Sequence, residues 1–571
     1  MHLVFVDQPS RLSELSVGDV LVATEPEVEI VAAQQGRDYV RLWGHVDPLG
    51  LEADAEAGYE PLVRACAAFD SQLGSGASAS WHLREIKVVL EGVRSRWLAA
   101  ESLVAALAPS TATLMLQGGT LAHDVLAHGL PALGLEVRSS TVAAPAATVP
   151  PVETSRAARL RGWLSWHRRP PRRSGSPLVV CSDTLYGVEP IAAALRARGA
   201  DVRLLVPPPI RTPPPVLPRA GLDAFAGLFA VGRVDLAPVG LPRIASLLER
   251  GLPESAAAYE GALRALERFA PAAVLGSAFE APRLKAVAAA ARMKHVPVVV
   301  SRHGEMGARH DPSGAYQDID AIDIALCWGE LEARQVAEYA SRPIRTVVVG
   351  APSIETETAP ERALIRAELG FGEAEVLVLY LPVAFDRGAW LANRAAPNES
   401  DHLLHQRRIL SALASVPGIT PVLKTAPTSP GGIVNEWLFA AAPHARVVSG
   451  HPYSELVHLA DAVVVDFPST TLVQALRGSA RIFIADHRAM IWTTGVREHL
   501  TRYGVVFAEP GKLTERLAGE LAGGLLEGPH TYPQEAIEPL LASGPGTAAE
   551  RAVDAILHIV SEQPGTTIES R

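Results

Sequence analysis

The sequence predicts an α/β protein made of Rossmann-like blocks with parallel sheets. Two observations carry this. Short apolar runs alternate with small-residue loops and then with about ten to fifteen residues at helical spacing, the rhythm of βαβ units. That rhythm also restarts twice along the 571 residues, a length that fits three or four domains of roughly 100–200 residues each. A hydrophobic fraction of 48% with 20% charged residues is ordinary for a chain that buries a large core.

The first block, 1–150, places strands at LVFV (3–6), DVLVAT (19–24), YVRLW (39–43) and ATLMLQ (112–117). Between them, 82–107 has apolar residues at helical spacing and reads as one long helix. No chemical motif stands out in this block. Residues 151–176 are a Pro/Arg-rich linker, of which 156–173 holds seven arginines, no acid, Trp163 and Trp166. A basic, tryptophan-bearing helix suits the surface of an anionic membrane. A solvated linker, or a basic face packed on an acidic neighbour, is the other reading.

The second block, 177–350, runs through PLVVCSD, DVRLLV, AAVLG, VPVVVSRHG, IDIALCWG and IRTVVVGAP with helices between. The third, 351–571, repeats the pattern through EVLVLYLP, ITPVLKTAPT, HARVVSG, ADAVVVDFPS and ARIFIAD. Two such blocks suggest lobes facing across a cleft, with ligands outside the carboxyl ends of the strands.

Bulk properties exclude several classes. A net charge of −10 speaks against general nucleic-acid binding. Cys66, Cys181 and Cys327 are far apart and odd in number, which fits a reducing compartment better than a disulfide framework or zinc site. The N-terminus lacks the pattern of a secretory signal, and no apolar run approaches ~18 residues, so the chain is expected to be cytoplasmic. CxxC, HExxH, GxSxG and P-loop lysine patterns do not occur.

Candidate site residues lie at strand ends. In ADAVVVDFPSTTLVQAL (460–476), Ser469, Thr470 and Thr471 stand where a strand turns into a helix. A helix start offers free N–H groups and a positive dipole end, to which hydroxyls add donors for a phosphate. Simple N-capping is the bland alternative. Lys424, with Thr425 beside it in PVLKTAPT, closes a strand and can reach a diphosphate; a surface lysine would look the same. In SRHGEMGARHDP (301–312), His303 has a pKa suited to proton transfer near neutrality, Glu305 can orient it or act as base, and Arg302 and Arg309 can hold an anion. A loop histidine that merely caps a helix is the alternative. His451 and Arg387, the latter beside Asp386, are weaker donor-side candidates.

Taken in order, VVVSRHGEMG, DIALCWGELEARQV, VVVGAPSIE, LVLYLP, VLKTAP and ADAVVVDFPSTTLVQAL resemble the GT-B-type transferases of bacterial surface polysaccharides. These are the capsule and polysialyl glycosyltransferases and the related CDP-glycerol glycerophosphotransferases. The resemblance covers about 177–490 and leaves out the first block. It implies a GT-B arrangement of two Rossmann-like lobes, an acceptor lobe at 177–350 and a nucleotide-donor lobe at 351–571, preceded by an N-terminal Rossmann-like accessory domain. It gives His303 the role of base and Ser469, Thr470 and Thr471 the donor phosphate. The implied reaction moves a sugar from a CMP- or other nucleotide-activated donor onto a surface glycan, free or lipid-linked, with no cofactor and no metal. The protein would then be cytoplasmic, or peripheral at the inner face of the membrane. Many relatives carry Lys-x-His-Pro where this chain has Lys424-Thr425-Ala426-Pro427; the missing histidine leaves its role unfilled or moved to His451. A CDP-polyol phosphotransferase, a sugar-nucleotide epimerase and an inactive scaffold of a polysaccharide assembly complex remain as alternatives.

Overall fold

Runs of valine, isoleucine and leucine form the strands, and most are buried on both faces, as parallel strands covered by helices must be. The computed structural model describes residues 1–47, 50–51, 54, 57–73, 77–140, 177–182, 187–205, 217–302, 304, 307–309, 319–355, 361–382, 399–424, 433–487, 490–526 and 530–562. His303, Glu305, Arg387, Thr425 and the basic stretch 156–173 lie outside them.

Three parallel sheets follow one another along the chain. The first has five strands in the spatial order Val40–Arg41, Val20–Ala23, His2–Val6, Thr111–Met115, Glu136–Ser139. The second has six, in the order Arg345–Val348, Ile324–Cys327, Val298–Ser301, Ala273–Gly276, Leu178–Cys181, Asp201–Leu204. The third also has six, in the order Arg446–Val448, Ile419–Lys424, Val376–Tyr380, Ala462–Val465, Arg481–Ala485, Val506–Ala508. Each expected Rossmann-like block is therefore present as an α/β unit. The first and third sheets reverse direction between their first and fourth strands, which creates a crevice at the carboxyl ends of those two strands.

The helix expected at 82–107 is found as Leu83–Leu107. Two edge strands, Glu136–Ser139 and Val506–Ala508, have no counterpart in the sequence reading. Both are short; Glu136–Ser139 is mostly exposed and polar, while Val506–Ala508 is half-buried and apolar.

Two segments pack on sheets other than the one nearest in sequence. Phe225, Phe229, Leu236, Ile244 and Leu252 join the core of the first sheet, together with Phe5, Trp97 and Leu114. They lie on the approach to, and the first half of, a 33-residue helix, Ala237–Phe269, whose second half packs on the second sheet through Ala262 and Leu266. At the other end of the chain, Val553, Ile556 and Val560 of helix Ala548–Ser561 join Val179, Leu275 and Val299 in the core of the second lobe. Thr547 caps that helix and Glu550 closes a capping box, which fixes where it starts.

Candidate functional site

The loop after strand Val298–Ser301 crosses from the second lobe to the third. Ala308 accepts a hydrogen bond through its carbonyl from the Thr493 amide at 3.0 Å, and Arg309 bridges to Trp492. Gln335 Nε2 donates to the Gly307 carbonyl at 3.3 Å and to Thr493 Oγ1 at 2.7 Å, and also to the Arg309 carbonyl. The loop is thus stitched to both lobes. At its near end, a Cβ on Gly304 would stand 3.1 Å from Thr470 Oγ1. Gly304 and Thr470, one from each of the two sequence motifs, therefore stand at contact distance across the lobes.

On the third-lobe side, strand Ala462–Val465 ends at Asp466, and helix Thr470–Arg477 begins after Ser469. Leu472, Val473, Ala475 and Leu476 bury one face of this helix, which fixes its start at the crevice. Ser469 is the N-cap residue by backbone position, yet its side chain makes no capping hydrogen bond. Simple N-capping is thereby removed as the reason for a serine here. Ser469, Thr470 and Thr471 are half-buried rather than packed into the core.

Asp466 lies below this helix start and is turned inward. The Tyr380 hydroxyl donates to its Oδ2 at 2.7 Å, and Gln406 Nε2 lies 3.4 Å from the same oxygen. Tyr380 ends the first strand of the sheet and Asp466 follows the fourth, so their bond spans the reversal point. The phenols of Tyr380 and Tyr453 are both pushed up, first by burial and then by the nearby Asp466.

Helix Glu399–Ser415 brings His402, His405 and Gln406 to the same place. His402 Nε2 is 3.1 Å from Gln406 Nε2, and His405 Nε2 meets the Ala485 carbonyl at 3.1 Å. The His405 ring stands edge-on to His487, with centroids 4.8 Å apart. Burial, then His487, lowers His402 to about 4; burial, then His487 and His402, lowers His405 to about 3. Both imidazoles are neutral at physiological pH. The sequence reading missed these three side chains; their signal is the i, i+3, i+4 spacing in HLLHQ, which puts them on one helix face.

The other candidates separate clearly. Lys424 ends strand Ile419–Lys424, whose Leu423 pairs with Tyr380, and Tyr380 pairs in turn with Val464. Lys424 and Asp466 so flank the end of the first strand, about 10 Å apart as two strand spacings require. His451 sits beyond the edge strand Arg446–Val448, 3.3 Å from Glu455 and 3.8 Å from Glu368. It is engaged by two acids. Arg302 and Arg309, expected to hold an anion on the acceptor side, are both buried. Arg302 is 5% exposed and pairs with Glu332 at 3.2 Å, while its carbonyl accepts from Trp328 Nε1. Arg309 is 2% exposed and lies 4.1 Å over the Phe467 ring, where it holds the two lobes together.

No family model matches the chain, and no curated protein does. Solved structures align with it over about two-thirds of its length. A UDP-GlcNAc 2-epimerase from Neisseria meningitidis is 13% identical over 67% of this chain and 100% of its own, with a TM-score of 0.37. A UDP-N-acetylglucosamine 2-epimerase from Rickettsia bellii is 14% identical over 68% and 96%, with a TM-score of 0.39. The glycosyltransferase SnogD from Streptomyces nogalater is 17% identical over 68% and 100%, with a TM-score of 0.35. Likeness at this level carries nothing about substrate or activity.

Proposed function

We propose that the chain is a GT-B-type glycosyltransferase that takes a sugar from a nucleotide-activated donor. The observation that supports this reading is the approach of Gly304 to Thr470 at a hydroxyl-bearing helix start whose N-cap serine makes no capping hydrogen bond. In this reading the amides at the start of helix Thr470–Arg477, with Ser469, Thr470 and Thr471, take the leaving phosphate. Lys424 approaches from the far side of strand Val376–Tyr380. Fixed dipoles aimed at the leaving oxygens offset the charge that develops there. His303, with Glu305, would act as base on an acceptor hydroxyl from the facing lobe. The acceptor is a bacterial surface glycan, and the donor a CMP- or other nucleotide sugar.

Thermal-shift measurements with CMP, CDP, UDP, GDP and their sugars test the reading, since a bound ligand raises the melting temperature. One nucleotide series is expected to stabilise the wild type. Ser469→Ala/Thr470→Ala is expected to weaken that binding by ~1–3 kcal/mol, the loss of two buried hydrogen bonds. His303→Ala is expected to abolish turnover and keep nucleotide binding. Equal nucleotide affinity in wild type and the double variant would reject the assignment.

A further inference from the structure

The first domain is fixed to the second lobe and also grips the third. It shares its core with the long helix Ala237–Phe269, and Arg84 pairs with Glu280 at 2.6 Å. Toward the third lobe it meets the start of helix Glu399–Ser415. There Ser400 Oγ donates to Glu29 Oε1, Arg41 pairs with Asp401 at 2.7 Å, and Ile30 enters the cluster that holds Val378, Leu403 and Leu413. Ser400 and Glu29 are nearly inaccessible, at 1% and 4%, so this is a built contact and not a passing surface pair.

The gripped helix is the one that reaches the reversal point. Asp401 is followed by His402, and Gln406 on the same helix lies against Asp466, below the start of Thr470–Arg477. The geometry points to Glu29 and Arg41 as positioning residues for the nucleotide site, acting from the first domain through helix Glu399–Ser415. This inference rests on the reading of Ser469–Thr471 as an anion site. The first domain then serves as a strut between the lobes that sets the helix behind the donor pocket.

The same contact is sensitive to pH. Glu29 is raised to about 7, chiefly by burial, against the Ser400 hydrogen bond and Arg41, with Asp401 adding a smaller push upward. Tyr39 is the other titratable group facing it. An undocked Glu29 returns to the ordinary carboxylate range, so docking takes up a proton. The contact is therefore tightest below the ordinary range and weakens as pH rises through about 7.

The test uses the full chain and whichever of CMP, CDP, UDP, GDP or dTDP most raises the wild-type melting temperature, with Kd measured by calorimetry. Wild type that binds none of them overturns the donor-site reading, and this inference with it. Given binding, Arg41→Asp is expected to weaken it about fivefold or more, the low end of coupling between linked sites. Arg41→Asp/Asp401→Arg is expected to recover wild-type Kd to within about twofold. Glu29→Gln keeps an acceptor for Ser400 and is expected to remove the part of the affinity loss between pH 6 and 8 that wild type shows beyond it. Wild-type binding combined with unchanged affinity in Arg41→Asp, with no recovery in the double variant, or with parallel pH profiles for wild type and Glu29→Gln, overturns the positioning role and leaves the donor site standing.

Discussion

The Tyr380 hydroxyl and Asp466 Oδ2 are 2.7 Å apart, and their hydrogen bond joins the two strands between which the third sheet reverses direction. Both side chains are buried, Tyr380 fully. The bond ties the floor of the crevice to the residue that precedes Phe467, Pro468 and the hydroxyl-bearing helix start. A site for a charged group needs such a floor, because amides and hydroxyls act on an anion only when they are held in place beforehand.

Tyr380→Phe removes the donor and keeps the ring. It is expected to destabilise the protein by about 1.5–3 kcal/mol, the range for a hydrogen bond to a charged group. Urea denaturation measures this as a lower midpoint with an unchanged slope.

Asp461 anchors the other end of the same strand. It pairs with Arg362 and, at 2.7 Å, with Arg366, and it accepts from the Leu377 amide at 2.7 Å. Arg366 is 4% exposed, so Asp461→Ala leaves a buried cation without its partner. A loss of about 3–5 kcal/mol is expected. An expression yield and melting temperature equal to wild type would contradict it.

His82 makes stability depend on pH. It is 3% exposed, bonded at 3.0 Å to Ser255, and lowered to about 4 by burial and then by Lys285. The folded state therefore binds this proton less well than the unfolded chain, whose histidine titrates near 6.5. The stability this group contributes is present above about 6.5 and is lost as pH falls from there toward 4. His82→Gln is expected to flatten that part of the curve when melting temperatures are compared between pH 7 and pH 4.5.

Gly304→Val puts branched carbons where even a Cβ would stand 3.1 Å from Thr470 Oγ1. The loop is expected to lift from the helix start, so that nucleotide-induced thermal stabilisation falls while the ligand-free melting temperature changes little. Calorimetry on both proteins separates the two effects.

Much of the fold is legible in the sequence because central parallel strands need continuous apolar runs. VVVS at 298–301, ALC at 325–327 and AVVV at 462–465 announce themselves. The edge strand Glu136–Ser139 does not, since one side of it has no partner strand and most of it is exposed. The site divides in the same way. Ser469, Thr470 and Thr471 are visible because hydroxyls cluster at a strand end, a local feature. Tyr380, Asp466 and Gln406 form a site only when three distant segments meet, and no spacing within one segment encodes that. The surroundings of Arg302 and Arg309 are hidden for the same reason: Glu332 and Phe467, which touch them, are 30 and 158 positions away.

The helix Ala548–Ser561 covers the sheet of a lobe whose last strand ends at Val348. A ribosome delivers that sheet about two hundred residues before its cover. Until synthesis passes residue 560, Val179, Leu275 and Val299 have no Val553, Ile556 or Val560 to exclude water from them. A nascent or C-terminally clipped chain therefore exposes an oily strip on an otherwise formed lobe, the kind of surface that chaperones and proteases recognise.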